Sequence, residues 1–105
     1  MGLEFHPDAR REYLEAAEFY ERRKSGLGAE FTRVVETAIE RILEAPFRWP
    51  AREHGIRRCL TRTFPYAILY RATTDRVLIV AVMHCKRRPG YWKSRWAQEP
   101  DRRGD

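Results

Sequence analysis

Residues 77–83, Val-Leu-Ile-Val-Ala-Val-Met, form an unbroken apolar run between Asp75 and His84. Such a run is far short of the roughly 18 consecutive apolar residues that a membrane span requires. The preceding Thr73-Thr74-Asp75 is a turn signal, so the run predicts a strand entered from a hairpin. Neither face of that strand is polar, which places it in the centre of its sheet. Beyond it the character changes. Lys86, Arg87, Arg88, Lys93 and Arg95 surround Tyr91, Trp92 and Trp96, and no acid occurs between Asp75 and Glu99.

The elements around this strand follow from spacing and punctuation. Leu3-Glu4-Phe5 reads as a short first strand. Pro7 suits the first turn of a helix, where its missing N–H costs nothing. Ala9, Tyr13, Ala16, Ala17 and Tyr20 then fall on one helical face, with Glu12, Glu15 and Glu18 at other positions. Arg22, Arg23 and Lys24 complement the dipole at the far end, and Ser25-Gly26-Leu27-Gly28 ends the helix. A second helix runs from about Ala29 to Glu44 on a stripe of Phe31, Val34, Val35, Ala38 and Ile42, until Pro46 stops it. The short link makes the two helices antiparallel neighbours. Residues 45–55 form a loop, followed by strands at Ile56–Thr61, Tyr66–Ala72 and Val77–His84. Short connections favour an antiparallel meander. The expected fold is α+β: a helical hairpin packed on a small, mainly antiparallel sheet in the order β-α-α-β-β-β. Residues 1–98 make a single domain, and residues 99–105 a frayed tail.

Composition narrows the partners. The N-terminus has no signal-peptide core, and position 6 is His rather than the Ser or Thr of a myristoylation signal. The two cysteines, Cys59 and Cys85, make no disulfide framework. These features predict a reduced, cytoplasmic protein with no membrane association. Residues 1–44 carry ten acids and seven bases, whereas residues 45–105 carry five acids and fourteen bases. The second half thus projects a positive field suited to a polyanion or an acidic protein.

One chemistry open to these residues is RNA cleavage. It needs groups to activate a 2′-hydroxyl, to stabilise the phosphorane and to protonate the leaving oxygen. His84, Lys86, Arg88, Tyr91 and Arg62 offer such types, although a histidine at a strand end more often binds backbone or a partner. No catalytic role is assigned to them. Cys85 beside His84 does not read as a nucleophile and base, since adjacent strand residues point to opposite faces. His6, His54, His84, Cys59 and Cys85 lack metal-ligand spacing. No phosphate loop or dinucleotide fingerprint is present, and no cofactor is expected.

The stretches FHPDARREYLEAAEFYERR (5–23), GLGAEF (26–31), FPYAILYR (64–71) and VMHCKRRPGYW (82–92), in this order, resemble the RelE/ParE superfamily of bacterial type II toxins, most closely the ParE branch. The resemblance implies a toxin neutralised by a small antitoxin. ParE toxins typically poison DNA gyrase, whereas RelE toxins cut mRNA on the ribosome. Many ribosome-dependent relatives place a catalytic Arg three residues before the Tyr of the third strand; that Tyr is Tyr70 here, and the position holds Ala67. Trp92 stands where a terminal Tyr is common, and an indole has no acidic proton to donate. The resemblance therefore implies a toxin that acts by binding, with Lys86, Arg87, Arg88, Tyr91, Trp92, Lys93, Arg95 and Trp96 as target-binding residues. Gyrase is the expected target. A ribosome-dependent mRNA endonuclease and a small basic RNA-binding domain remain the alternatives.

Overall fold

The computed structural model describes residues 2–98, the last three by backbone alone. The expected frayed tail and the side chain of Trp96 lie outside the described residues. Four strands and three helices follow one another as β1 (Gly2–Phe5), α1 (Pro7–Arg23), α2 (Leu27–Glu44), β2 (Arg57–Leu60), β3 (Tyr66–Ala72), β4 (Arg76–His84) and α3 (Lys93–Gln98), with a single 3-10 turn at Glu53–Gly55. The chain is α+β, as its sequence predicts. The sheet order is β1-β4-β3-β2, so β4 is internal. Strands β2, β3 and β4 make an antiparallel meander. Strand β1 adds to β4 in parallel, Phe5 opposite Ile79.

Local chemistry sets the helix ends. The His6 ring accepts the Asp8 N–H at 3.0 Å, with Pro7 at the first helical position. Between α1 and α2, Gly26 takes φ +91°, a conformation that favours glycine. The Glu21 carboxylate then accepts the N–H groups of both Gly26 and Gly28 at 3.0–3.1 Å. Gly28 is needed for a second reason. A Cβ there would lie 2.6 Å from the Ala17 carbonyl oxygen, so only glycine lets the two helices approach so closely.

Both faces of the sheet are covered. The α1–α2 hairpin closes one face over Phe31, Val35, Ile42, Ile68, Tyr70 and Ile79, all fully buried. Tyr20, Phe31, Phe64 and Tyr66 pack there with contacting ring centroids 4.9–6.3 Å apart. The opposite face collects Ile56, Ala67, Leu69, Leu78, Val80, Ala81 and Met83 beneath Trp92. This arrangement explains the unbroken apolar run. Val77, Ile79 and Val82 face the helices, and the others face Trp92.

Strict alternation would place Ala81 on the helix side. Instead the β3–β4 register slips: Leu69 pairs with Ala81 but Tyr70 with Ile79, leaving Val80 without a partner on β3. This bulge puts Val80 and Ala81 on the same side. It falls where β1 ends, since the His6 N–H reaches the Ile79 carbonyl and no strand continues past it. Beyond that point the edge of β4 is met by side chains. Arg95 donates to the Val80 carbonyl, and Glu12 accepts the Val82 N–H, each at 3.0 Å.

Candidate target-binding surface

The end of β4 delivers a tight turn. The His84 carbonyl accepts the Arg87 N–H, and the His84 ring accepts the Lys86 N–H at 3.0 Å. The Cys85 N–H donates to the Pro65 carbonyl at 2.8 Å, tying this turn to the start of β3. Gly90 takes φ +79° and reverses the chain into α3. Lys86, Arg87 and Arg88 all stand exposed on the turn. The Arg87 guanidinium lies 3.9 Å from the centroid of the Tyr91 ring, a cation–π contact.

Trp92 and Arg95 of this segment turn inward. Trp92 is only 8% exposed and packs on the second face of the sheet, so it offers no free stacking surface. Arg95 is likewise buried. Its guanidinium forks onto Glu12, with Nη1 to Oε1 at 3.0 Å and Nη2 to Oε2 at 2.6 Å, and Asp8 lies 3.7 Å away. The Tyr91 hydroxyl donates to the same carboxylate at 2.7 Å. Burial, reinforced by that hydrogen bond, pushes the Tyr91 phenol well above its ordinary range. For Arg95, burial acts to lower the pKa, but the hydrogen bond and charge of Glu12 outweigh it and hold the guanidinium charged. Lys93 is exposed and pairs with Glu53 at 3.0 Å. Four of the expected surface residues thus have other engagements, and the exposure expected of Trp92 and Arg95 is not found. The physical reason is the second face of β4, which is apolar and needs a cover.

Of the nuclease candidates, His84, Lys86, Arg88 and Tyr91 share the turn after β4, whereas Arg62 stands apart. His84 packs edge-on against Tyr66 with centroids 5.1 Å apart, and Tyr91 is committed to Glu12. Arg62 lines a small hollow on α2 with Arg33 and Arg41 rather than joining the turn at the end of β4. Ala67 is fully buried between Leu60 and Met83, so this position belongs to the core. A hollow of about 270 Å³ opens on the second face. Ile56, Leu69, Met83 and Trp92 form its apolar part, with Arg52 and Arg58 beside them.

Sequence reasoning missed Glu12, which gathers Val82, Tyr91 and Arg95. In the sequence it is one of several acids on α1.

Two helices over a mixed sheet with β1 parallel to its centre define a small α+β domain. Residues 3–89 match the family described as ParE toxin of type II toxin-antitoxin system, parDE. The chain belongs to this family. Its fold is shared with a solved structure titled "Chromosomal ParDE TA system from P. aeruginosa", at 13% sequence identity and a TM-score of 0.59, over 82% of this chain and 97% of that one. No curated protein gives a significant match. Among the described residues, no helix is long and apolar enough to cross a membrane.

Proposed function

We propose that this ParE-family toxin acts by binding DNA gyrase through the turn at the end of β4, and that a cognate antitoxin restrains it in the cytoplasm. The observation that carries the reading is the set Lys86, Arg87 and Arg88: three adjacent exposed cations on a turn pinned to β3 and β4. Arginine is enriched at interface hot spots, and a rigid base limits the ordering cost of binding. Two features weigh against cleavage. Ala67 leaves no cation at the position where ribosome-dependent relatives keep one, and Tyr91 is both tied to Glu12 and raised in pKa. A poised general acid has a pKa near the working pH.

The test is supercoiling by purified gyrase beside translation on programmed ribosomes. The toxin is expected to block supercoiling first, and Lys86→Ala/Arg87→Ala/Arg88→Ala to relieve the block while melting like the parent. Prompt codon-dependent mRNA cleavage with supercoiling untouched would overturn the proposal. Antitoxin restraint is checked by co-expression with the adjacent small reading frame, expected to yield a stable complex that leaves gyrase active.

A further inference from the structure

A second cationic surface lies on the helix side of the molecule, built from residues outside the turn at the end of β4. The 45–52 loop folds so that Trp49 becomes a platform. The guanidinium of Arg41, from α2, sits 5.5 Å from its ring centroid, and that of Arg48 sits 5.2 Å away. Arg57 of β2 donates to the Trp49 carbonyl at 2.5 Å and lies 5.0 Å from the Phe47 ring centroid. Arg41 then continues into a hollow of about 140 Å³ that it shares with Arg33 and Arg62, over Val34 and Ala38. Among the described residues, no carboxylate pairs with Arg33, Arg41, Arg48, Arg57 or Arg62. Of the acids of α2, Glu36 and Glu40 line a different hollow beside β1.

We propose that this arginine face binds the phosphodiester backbone of a nucleic acid. Every cation of the set is arginine, whose planar fork matches phosphate oxygens two at a time. The aromatic rings hold guanidinium groups against themselves, so they orient cations rather than offer free faces to bases. That favours phosphate contacts without base stacking. The hollow between Arg33, Arg41 and Arg62 is smaller than the roughly 300 Å³ at which drug-sized ligand pockets begin, and suits an anionic group rather than a large side chain. The proposal does not depend on the gyrase reading.

The experiment measures anisotropy of a short labelled DNA duplex and of an unstructured single-stranded RNA, titrated with the full-length toxin over a series of salt concentrations. Arg33→Gln/Arg41→Gln/Arg62→Gln is expected to reduce the slope of log K against log salt by about 3, near one unit for each phosphate contact removed. Lys86→Gln/Arg87→Gln/Arg88→Gln is expected to leave that slope intact. If the first variant melts early, Arg33→Gln and Arg62→Gln are measured singly. Both are exposed, and each should remove about one unit. Comparing the two labelled probes tells DNA from RNA, and retention of the slope effect on either supports a backbone site. A slope lost only with the Lys86–Arg88 changes would overturn the proposal. So would poly-glutamate that competes at equal charge and fails in the same variants, because it would reassign the face to an acidic protein.

Discussion

Glu12 sits in α1 and accepts four hydrogen bonds, from the Val82 N–H, the Tyr91 hydroxyl and both terminal nitrogens of Arg95. Its side chain is 15% exposed and that of Arg95 only 9%. Removing one member of so buried a pair leaves a charge without a partner, which typically costs about 3–5 kcal/mol. Glu12→Ala and Arg95→Ala are each expected to destabilise by that order in denaturant melts. The double variant should lose clearly less than the two losses combined, because the two groups share one network. Additive losses would mean the pair is not coupled. Nothing near Glu12 in sequence marks it out from Glu15 or Glu18. Its partners lie 70 to 83 positions away, and local periodicity carries no such information. Tyr70 was legible: an aromatic inside an apolar strand, now fully buried with its hydroxyl 2.7 Å from the Pro46 carbonyl.

At the scale of elements, α3 divides the segment after β4 into two parts with different duties. The turn exposes Lys86, Arg87 and Arg88, whereas Trp92 and Arg95 close the second face and edge of the sheet. Trp92→Ala should therefore cost about 3–5 kcal/mol, as large aromatics do when truncated in a core. Lys86→Ala/Arg87→Ala/Arg88→Ala should stay within about 0.5 kcal/mol per position, as exposed changes do. Thermal melts of the two variants separate these duties; a normal melt for Trp92→Ala would show that its ring does not cover the sheet. The strands and the helical hairpin were readable because each repeats its pattern over several turns or pleats. Helix α3 was not, since its six residues are too few for a periodic stripe. The basic run around it signals charge, whereas the dominant force on Trp92 is burial of the apolar second face. The bulge at Val80 was hidden for a related reason: a run that is apolar on both faces shows no break when its phase slips.

For the molecule as a whole, the tyrosines predict how stability responds to alkali. Burial raises Tyr13 to about 12, with the Glu36 charge adding to it, and burial raises Tyr70 to about 12. Burial also lifts Tyr66 and Tyr91 above that range. The unfolded chain releases these protons near pH 10, the ordinary tyrosine value, before the folded chain does. Their contribution is complete below about pH 10 and is lost as pH rises through about 12, because the unfolded state then binds fewer protons. The melting temperature should fall steadily across that window. Tyr70→Phe should flatten the fall while lowering stability at neutral pH by about 1 kcal/mol for the lost hydrogen bond. A melting temperature unchanged to pH 12 would contradict the burial of these phenols.

The pairing of Glu12 with Arg95, 83 positions apart, also has a consequence in time. The α1–α2 hairpin is made of local contacts and can form while later residues are still being added. Strand β1 must wait for β4, and the edge of β4 must wait for Arg95. Distant pairings carry a loop-closure cost before they return any stabilisation, so they slow folding. A ribosome that stalls before residue 91 releases a chain whose second sheet face is bare and whose β4 edge is open, a species prone to aggregate. The finished fold thus forms only after Arg95 has been added, and products cut short before residue 91 lack the cover of the second sheet face.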